Sequence, residues 1–325
     1  MLIVVNFHYI REAFEFRYSG IKGVTPKEFS LQLDELSRIG DFIDQAQLID
    51  MIKSGKETDS VKLLITFDDG LREQYYYALP ILERKGVPAI FYINTSNFAE
   101  KTNSLVHKIH LLRSYVSAND IFHQISQKLG VDTSSLLKDN EFTEAIFHYR
   151  YDDELDAKLK YFLNFKLTTA SLAKLVDDLF YHFESAVEEK LDYFYFDEKM
   201  IHNLSQLNAL GSHSHDHVPL AKMDRIDIVN QFLKPQEYAL SIGIPPFQSI
   251  SYPYGSKETV STEVFEVASN AGYLFGLSME RAANISLSHN PLCLARFACN
   301  DVPGGKKPIF SSKEQLMQLP IRSWY

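Results

Sequence analysis

Apolar positions along this chain follow two rhythms. Short continuous runs at 2–8, 63–67 and 89–93 are partly β-branched and too short for helices, so they read as buried strands. Between them the spacing becomes helical. Phe29, Leu33, Leu36 and Ile39 share one face, Thr25 can cap that helix, Pro26 suits its first turn, and Gly40 stops it. A second short helix is predicted over 46–54, closed by Gly55, and a third over 72–85 with a kink or break at Pro80. Strand, helix, strand, helix, strand is the order of an α/β fold with a parallel sheet and right-handed crossovers.

The middle of the chain changes character. No proline lies between Pro88 and Pro219, and Gly130 is the only glycine between Gly86 and Gly211. Segments 105–116, 120–129, 153–165 and 171–189 carry helical spacing with many charges, so residues 99–198 are predicted to be a helical insertion. The body is then 1–98 and 199–325. Its second part reads as a helix at 199–208, a helix at 224–243 interrupted near Pro235, a strand running into a Pro/Gly turn over 249–255, a helix at 263–271, strands at 273–278 and 293–299, and a short helix at 313–318.

Hydrophobic residues make up 45% of the 325, enough for a substantial core. A net charge of -9 argues against a nucleic-acid binder, which would carry a basic face. Cys293 and Cys299 are too few for a disulfide framework and read as small buried hydrophobes. No run spans a membrane, and the first residues show neither a basic region nor a small-residue cleavage site. The expected location is the cytoplasm.

Two stretches do not fit a packing role. The strand at 63–67 ends in Asp68-Asp69-Gly70, adjacent carboxylates whose charges repel, at the strand end where parallel folds place their chemistry. Farther on, His213, His215 and His217 alternate after Gly211-Ser212, and two of these imidazoles can converge on one ion in either a strand or a helix. Two histidines and one aspartate suit Zn²⁺ or another divalent transition metal, and leave positions open for water and substrate. Such an ion lowers the pKa of water and polarises a carbonyl, and the second aspartate then has a proton to accept.

These stretches resemble the polysaccharide deacetylases, also called NodB-homology domains or carbohydrate esterase family four. Thr66-Phe67-Asp68-Asp69-Gly70 is similar to their first motif, and His213, Ser214 and His217 to their His-[Ser/Thr]-x-x-His. Ser251-Tyr252-Pro253-Tyr254 stands where their Arg-x-Pro-[Phe/Tyr] motif falls, with serine in place of arginine; Tyr-Pro-Tyr-Gly resembles the subgroup of poly-N-acetylglucosamine deacetylases. The resemblance implies a distorted (β/α) barrel and a metal-dependent de-N-acetylase acting on an N-acetylated sugar or glycan; the alternatives are a metal-dependent deacylase of a non-sugar amide and a catalytically vestigial carbohydrate-binding protein. It implies Asp69, His213 and His217 as metal ligands, Asp68 as the base that activates the metal's water, and the Tyr254 backbone N–H as an oxyanion donor. It further implies Tyr252 and Pro253 as groove residues, His289 in Leu287-Ser288-His289 as the general acid, and His8 as a rival near the metal. His215 is expected to flank the site. Where the family's arginine orients the catalytic aspartate, Asp68 must here be held otherwise or be less well tuned.

Overall fold

The computed structural model describes residues 1–55, 60–132, 136, 139–148, 153–189 and 191–325. They divide into two compact units. The first comprises 1–13, 23–102 and 191–325; the second comprises 14–22 and 103–190.

The first unit is built on strands β1 (Leu2–Phe7), β2 (Asp41–Phe42), β3 (Lys62–Phe67), β4 (Ala89–Ile93), β5 (Leu210–Ser212), β6 (Ser249–Ser251), β7 (Phe275–Leu277) and β8 (Phe297–Ala298). Their order is β7-β6-β5-β4-β3-β1-β8, with β2 against the start of β3, and every ladder between them is parallel. The result is a curled half-barrel sheet of the expected α/β class. Its seam runs between β7 and β1. Leu294 bridges to Leu277 of β7, and three residues later Phe297 pairs with Val5 of β1. The segment expected as a strand over 293–299 therefore crosses from one neighbour to the other, and only its last part forms a regular ladder.

Strand alternation separates two cores. Ile3, Val5, Phe7, Ile65 and Phe67 pack with Phe29, Leu33 and Leu36 of helix α1 (Pro26–Ser37), outside the sheet. Leu2, Val4, Leu64, Ile90 and Tyr92 alternate with them and pack with Phe275, Leu277 and Leu294 inside the curl. Helix α2 (Gln45–Ser54) adds Leu48 and Ile49 to this inner cluster. Its Gln45 donates to the Leu210 carbonyl and accepts from the Ser249 hydroxyl, at the amino ends of β5 and β6. Both helices start in capping boxes, Thr25 with Glu28 and Asp44 with Gln47.

Proline acts in two ways. Before Pro80 the chain forms a π-turn at Gln74–Ala78, then helix α3 (Leu79–Lys85), because the proline ring cannot donate to the preceding turn. Pro235, by contrast, does not interrupt its helix, which runs unbroken over Arg225–Ser241. Ile228, Phe232, Pro235 and Ala239 are all buried along one face, and that packing outweighs one missing hydrogen bond.

The second unit is helical. Leu105–Tyr115, Ala118–Leu129, Glu154–Phe165 and Thr169–His182 surround a core of Leu112, Ile121, Phe122, Ile125, Leu159 and Val176. Arg113 and Asp156 form an ion pair at 3.2 Å within it. Residues 14–22 join this unit although they precede the region expected to form it. Tyr18 N–H donates to the Ser114 carbonyl, and Phe16 packs edge-on against Tyr115, ties that leave no trace in the periodicity.

Candidate active site at the carboxyl ends of the strands

The alternation that sorts the core also aims the first catalytic candidates. Asn6 follows Leu2 and Val4 on the inner face of β1, and Thr66 then Asp68 follow Leu64 on that of β3; the register sets Asn6 opposite Thr66. Asp68 is consequently buried at the mouth of the curl. Asp69 breaks the pattern: its φ is 81°, a left-handed conformation that few non-glycine residues adopt. Gly70 follows at φ 63°, and a Cβ there would lie 2.9 Å from Ile93 Cγ2, so only glycine completes the turn.

This turn sends the Asp69 carboxylate to the histidines. Asp69 Oδ1 lies 3.5 Å from His213 Nε2 and 3.4 Å from His217 Nε2, and the two imidazole rings are 5.0 Å apart. All three residues are buried, with one potential ligand atom each within 4.8 Å of the others. The separations suit a common ion, because ligands about 2.0–2.1 Å from a tetrahedral zinc lie roughly 3.3–3.4 Å from one another. His213 Nδ1 donates to the Ser251 carbonyl at 2.7 Å, which leaves Nε2 unprotonated and facing the cluster. Burial pushes the His213 pKa down to about 4 against the pull of Asp68 and Asp69, so the ring is neutral at pH 7. The donor set fits a divalent transition metal.

Asp68 is held apart from that cluster by groups the sequence did not announce. Arg296 Nη1 donates to Oδ1 at 3.0 Å, and Asn6 Nδ2 donates to Oδ2 at 2.9 Å. Burial alone would raise this carboxyl's pKa; the Arg296 guanidinium, helped by His213 and His8, overrides it and holds the group well below the usual carboxylate range. Arg296 is itself buried, and its Nε donates to the Ser278 carbonyl at 3.1 Å. It lies in the seam segment between β7 and β1. The guanidinium absent at Ser251 is thus supplied from a different segment of the chain, just before β8. A signal existed: Arg296 is the one charged residue in the apolar run 292–298, and a buried charge needs a partner. Gln74, also buried, donates to the backbone carbonyls of Asp68 and His8 at 2.7 and 3.0 Å.

The remaining candidates separate. His8 is at the site, its Nε2 3.9 Å from Asp68 Oδ2 and its side chain 45% exposed. Tyr254 is 42% exposed, with φ 61° and its ring 5.1 Å from His217. Tyr252 is not a groove residue: it is wholly buried, packs against Phe265, and spends its hydroxyl on the Leu292 carbonyl at 2.8 Å. Pro253 is likewise buried. His289 is not brought to the cluster. It is exposed, its carbonyl accepts from Arg322, and it belongs to neither histidine–carboxylate cluster among the described residues. Letter-matching to a Leu-x-His pattern misplaced it, because the motif falls in the loop before the seam segment. His215 is buried beside the cluster without entering it.

A parallel, curled sheet with a buried two-histidine, one-carboxylate cluster at its carboxyl ends, and a second carboxylate alongside, defines a metal-dependent hydrolase site. The profile of the polysaccharide deacetylases matches residues 55–131 and 180–276, more than half of the chain, and the protein belongs to that family. It is a deacetylase-type enzyme. No curated protein sequence matches it. Among solved structures, it is similar to the Streptococcus pyogenes deacetylase PplD in complex with acetate, at 13% identity and TM-score 0.56, over 98% of this chain and 96% of that one. It is also similar to a de-N-acetylase from Aggregatibacter actinomycetemcomitans, at 11% identity and TM-score 0.53, over 91% and 94% of the two chains. IcaB from Ammonifex degensii matches at 14% identity and TM-score 0.51, over 91% of each. At these identities the likeness is one of fold. No helix among the described residues is long and apolar enough to cross a membrane.

Proposed function

We propose that this enzyme removes the acetyl group from an N-acetylated sugar or glycan by metal-assisted amide hydrolysis, in the manner of the Tyr-Pro-Tyr-Gly subgroup of its family. The observation that carries this reading is the pairing of two differently held carboxylates: Asp69 faces His213 and His217, while Asp68 is fixed by Arg296 and Asn6.

Asp69, His213 and His217 would hold a divalent ion such as Zn²⁺, which supplies a water of lowered pKa and polarises the amide carbonyl. Asp68 accepts the proton of the attacking water. Arg296 and Asn6 each occupy one of its oxygens, so the carboxylate cannot rotate away, and lone pairs remain on both. The water oxygen bonds to the carbonyl carbon, and the backbone N–H of Tyr254 donates to the oxyanion that forms. The exposed His8, next to Asp68 at the end of β1, gives a proton to the sugar nitrogen as the C–N bond breaks. Acetate and an amino sugar leave. This assigns the acid role to His8 in place of His289.

Acetate release from N-acetylglucosamine oligosaccharides, measured beside a simple acetyl amide and with metal content by elemental mass spectrometry, tests the reading. Wild type should carry near-stoichiometric metal that His213→Ala lacks. Asp68→Asn should keep its metal and lose turnover by about 10²–10⁴-fold, the usual range for a proton-transfer group. Full activity in Asp68→Asn would refute the base assignment, and equal turnover of the simple amide would refute the sugar.

A further inference from the structure

His215 stands between two ligand histidines in sequence, yet both of its ring nitrogens are engaged elsewhere. Nδ1 lies 2.9 Å from Thr95 Oγ1 and Nε2 lies 2.9 Å from Glu100 Oε1. A carboxylate accepts, so Nε2 carries a proton, and in the neutral ring Nδ1 accepts from the Thr95 hydroxyl. Thr95 follows the end of β4, and Glu100 closes the short helix Ser96–Ala99 after it. The backbone adds to this clamp. Thr95 N–H donates to the Ser214 carbonyl at 3.3 Å, and Ser96 N–H to the His215 carbonyl at 3.1 Å. From the other side Gln231 Oε1 accepts from the N–H groups of His215 and Asp216, at 3.2 and 2.9 Å, while its Nε2 donates to Asp216 Oδ2 at 2.6 Å.

The segment so held is a strained one. Ser214 has φ 64° and His217 has φ 54°. Left-handed backbone is costly for a non-glycine residue, and such conformations persist only where the surroundings over-determine them. An unclamped loop would relax, and His217 would leave its place 3.4 Å from Asp69.

We infer that His215, clamped between Thr95 and Glu100, is the positioning residue that holds the strained 214–217 loop and thereby sets His217 as a metal ligand. The inference rests on the reading that Asp69, His213 and His217 bind a divalent ion. It concerns residues outside that cluster.

The test is titration of the chelator-treated chain with Co²⁺, followed by visible absorption, with Zn²⁺ as competitor. Wild type should bind one ion in the cluster, and His213→Ala should lose it. His215→Ala should weaken Co²⁺ and Zn²⁺ binding about 10–100-fold, as loss of a ligand's supporting partner does, and should alter the cobalt bands. His215→Gln, which keeps a donor and an acceptor, should restore part of both. Glu100 is half-exposed, so Glu100→Ala folds even if His215→Ala does not. It should weaken binding in the same direction, and the double variant should bind no worse than His215→Ala alone. Wild-type affinity and spectrum in both single variants overturn the inference. Loss of a second cobalt equivalent in Glu100→Ala, with the first intact, also overturns it, making Glu100, His215 and Asp216 a cation site instead. No binding by wild type overturns the metal reading itself and this inference with it.

Discussion

The two ends of the sheet turn the chain by the same left-handed backbone but with different residues. Where helices return to the amino ends of strands, the positive-φ positions are Gly55, Gly86, Gly243 and Gly272, with Asn208 before β5. Where strands end at the site, Gly70 and Gly255 are joined by four residues with side chains, Asp69, Ser214, His217 and Tyr254. At the amino ends only the turn matters, and glycine makes it without strain. At the carboxyl ends the side chains themselves are needed, so the molecule carries strained backbone in order to present them. The buried polar groups divide in the same way: a neutral network around Gln45 at one end, and an ionic pair of Asp68 and Arg296 at the other.

The largest effect should come from the ionic pair. Arg296→Met strands the Asp68 carboxylate in a buried site and should destabilise the fold by about 3–5 kcal/mol, read as the shift in urea midpoint. Adding Asp68→Asn should recover much of that loss. At the opposite end Gln45→Met, which strands only neutral groups, should cost about 1–3 kcal/mol. Equal costs at the two ends would remove the distinction.

The buried imidazole makes the active end sensitive to acid. His213 is held down to about 4 when folded, against roughly 6.5 when unfolded. Between those values the unfolded chain takes up a proton that the folded chain refuses. Its contribution is therefore complete above about pH 6.5 and is lost as pH falls toward 4, at up to about 1.4 kcal/mol per pH unit. Denaturation of chelator-treated protein at pH 7, 6 and 5 should show this slope, and His213→Gln should flatten it.

The smallest effects separate strain that serves function from turns that do not. Gly86 has φ 63°, and a Cβ added there would meet nothing within 4 Å. Gly86→Ala should therefore cost about 1–2 kcal/mol through backbone strain alone and leave acetate release unchanged. Tyr254→Gly should relieve a similar strain, leaving stability within about 1 kcal/mol of wild type, while acetate release falls with the loss of the ring beside His217. A Tyr254→Gly chain of full activity would show that its strain has no functional role.

Much of this arrangement is written in local order. Apolar runs and their alternation set β1, β3 and β4 and both faces of the sheet. Thr25 and Asp44 start their helices by bonding to residues three positions on, contacts that need no distant partner. The Asp68-Asp69-Gly70 and His213 to His217 stretches carry their ligands within single strand-end loops, so their residue types alone pointed to a metal. What the tertiary structure decided is everything that meets across the sheet. Arg296 reaches Asp68 from a residue 228 positions away, because the seam segment passes between β7 and β1. Asn6 meets Asp68 through the β1–β3 register. Tyr252 turns into the core and His289 stays outside the cluster, although both sit in sequences that resemble working motifs. A motif fixes which side chains are adjacent along the backbone; only the closing of the sheet fixes which of them share a low-dielectric mouth, where charges must find their partners.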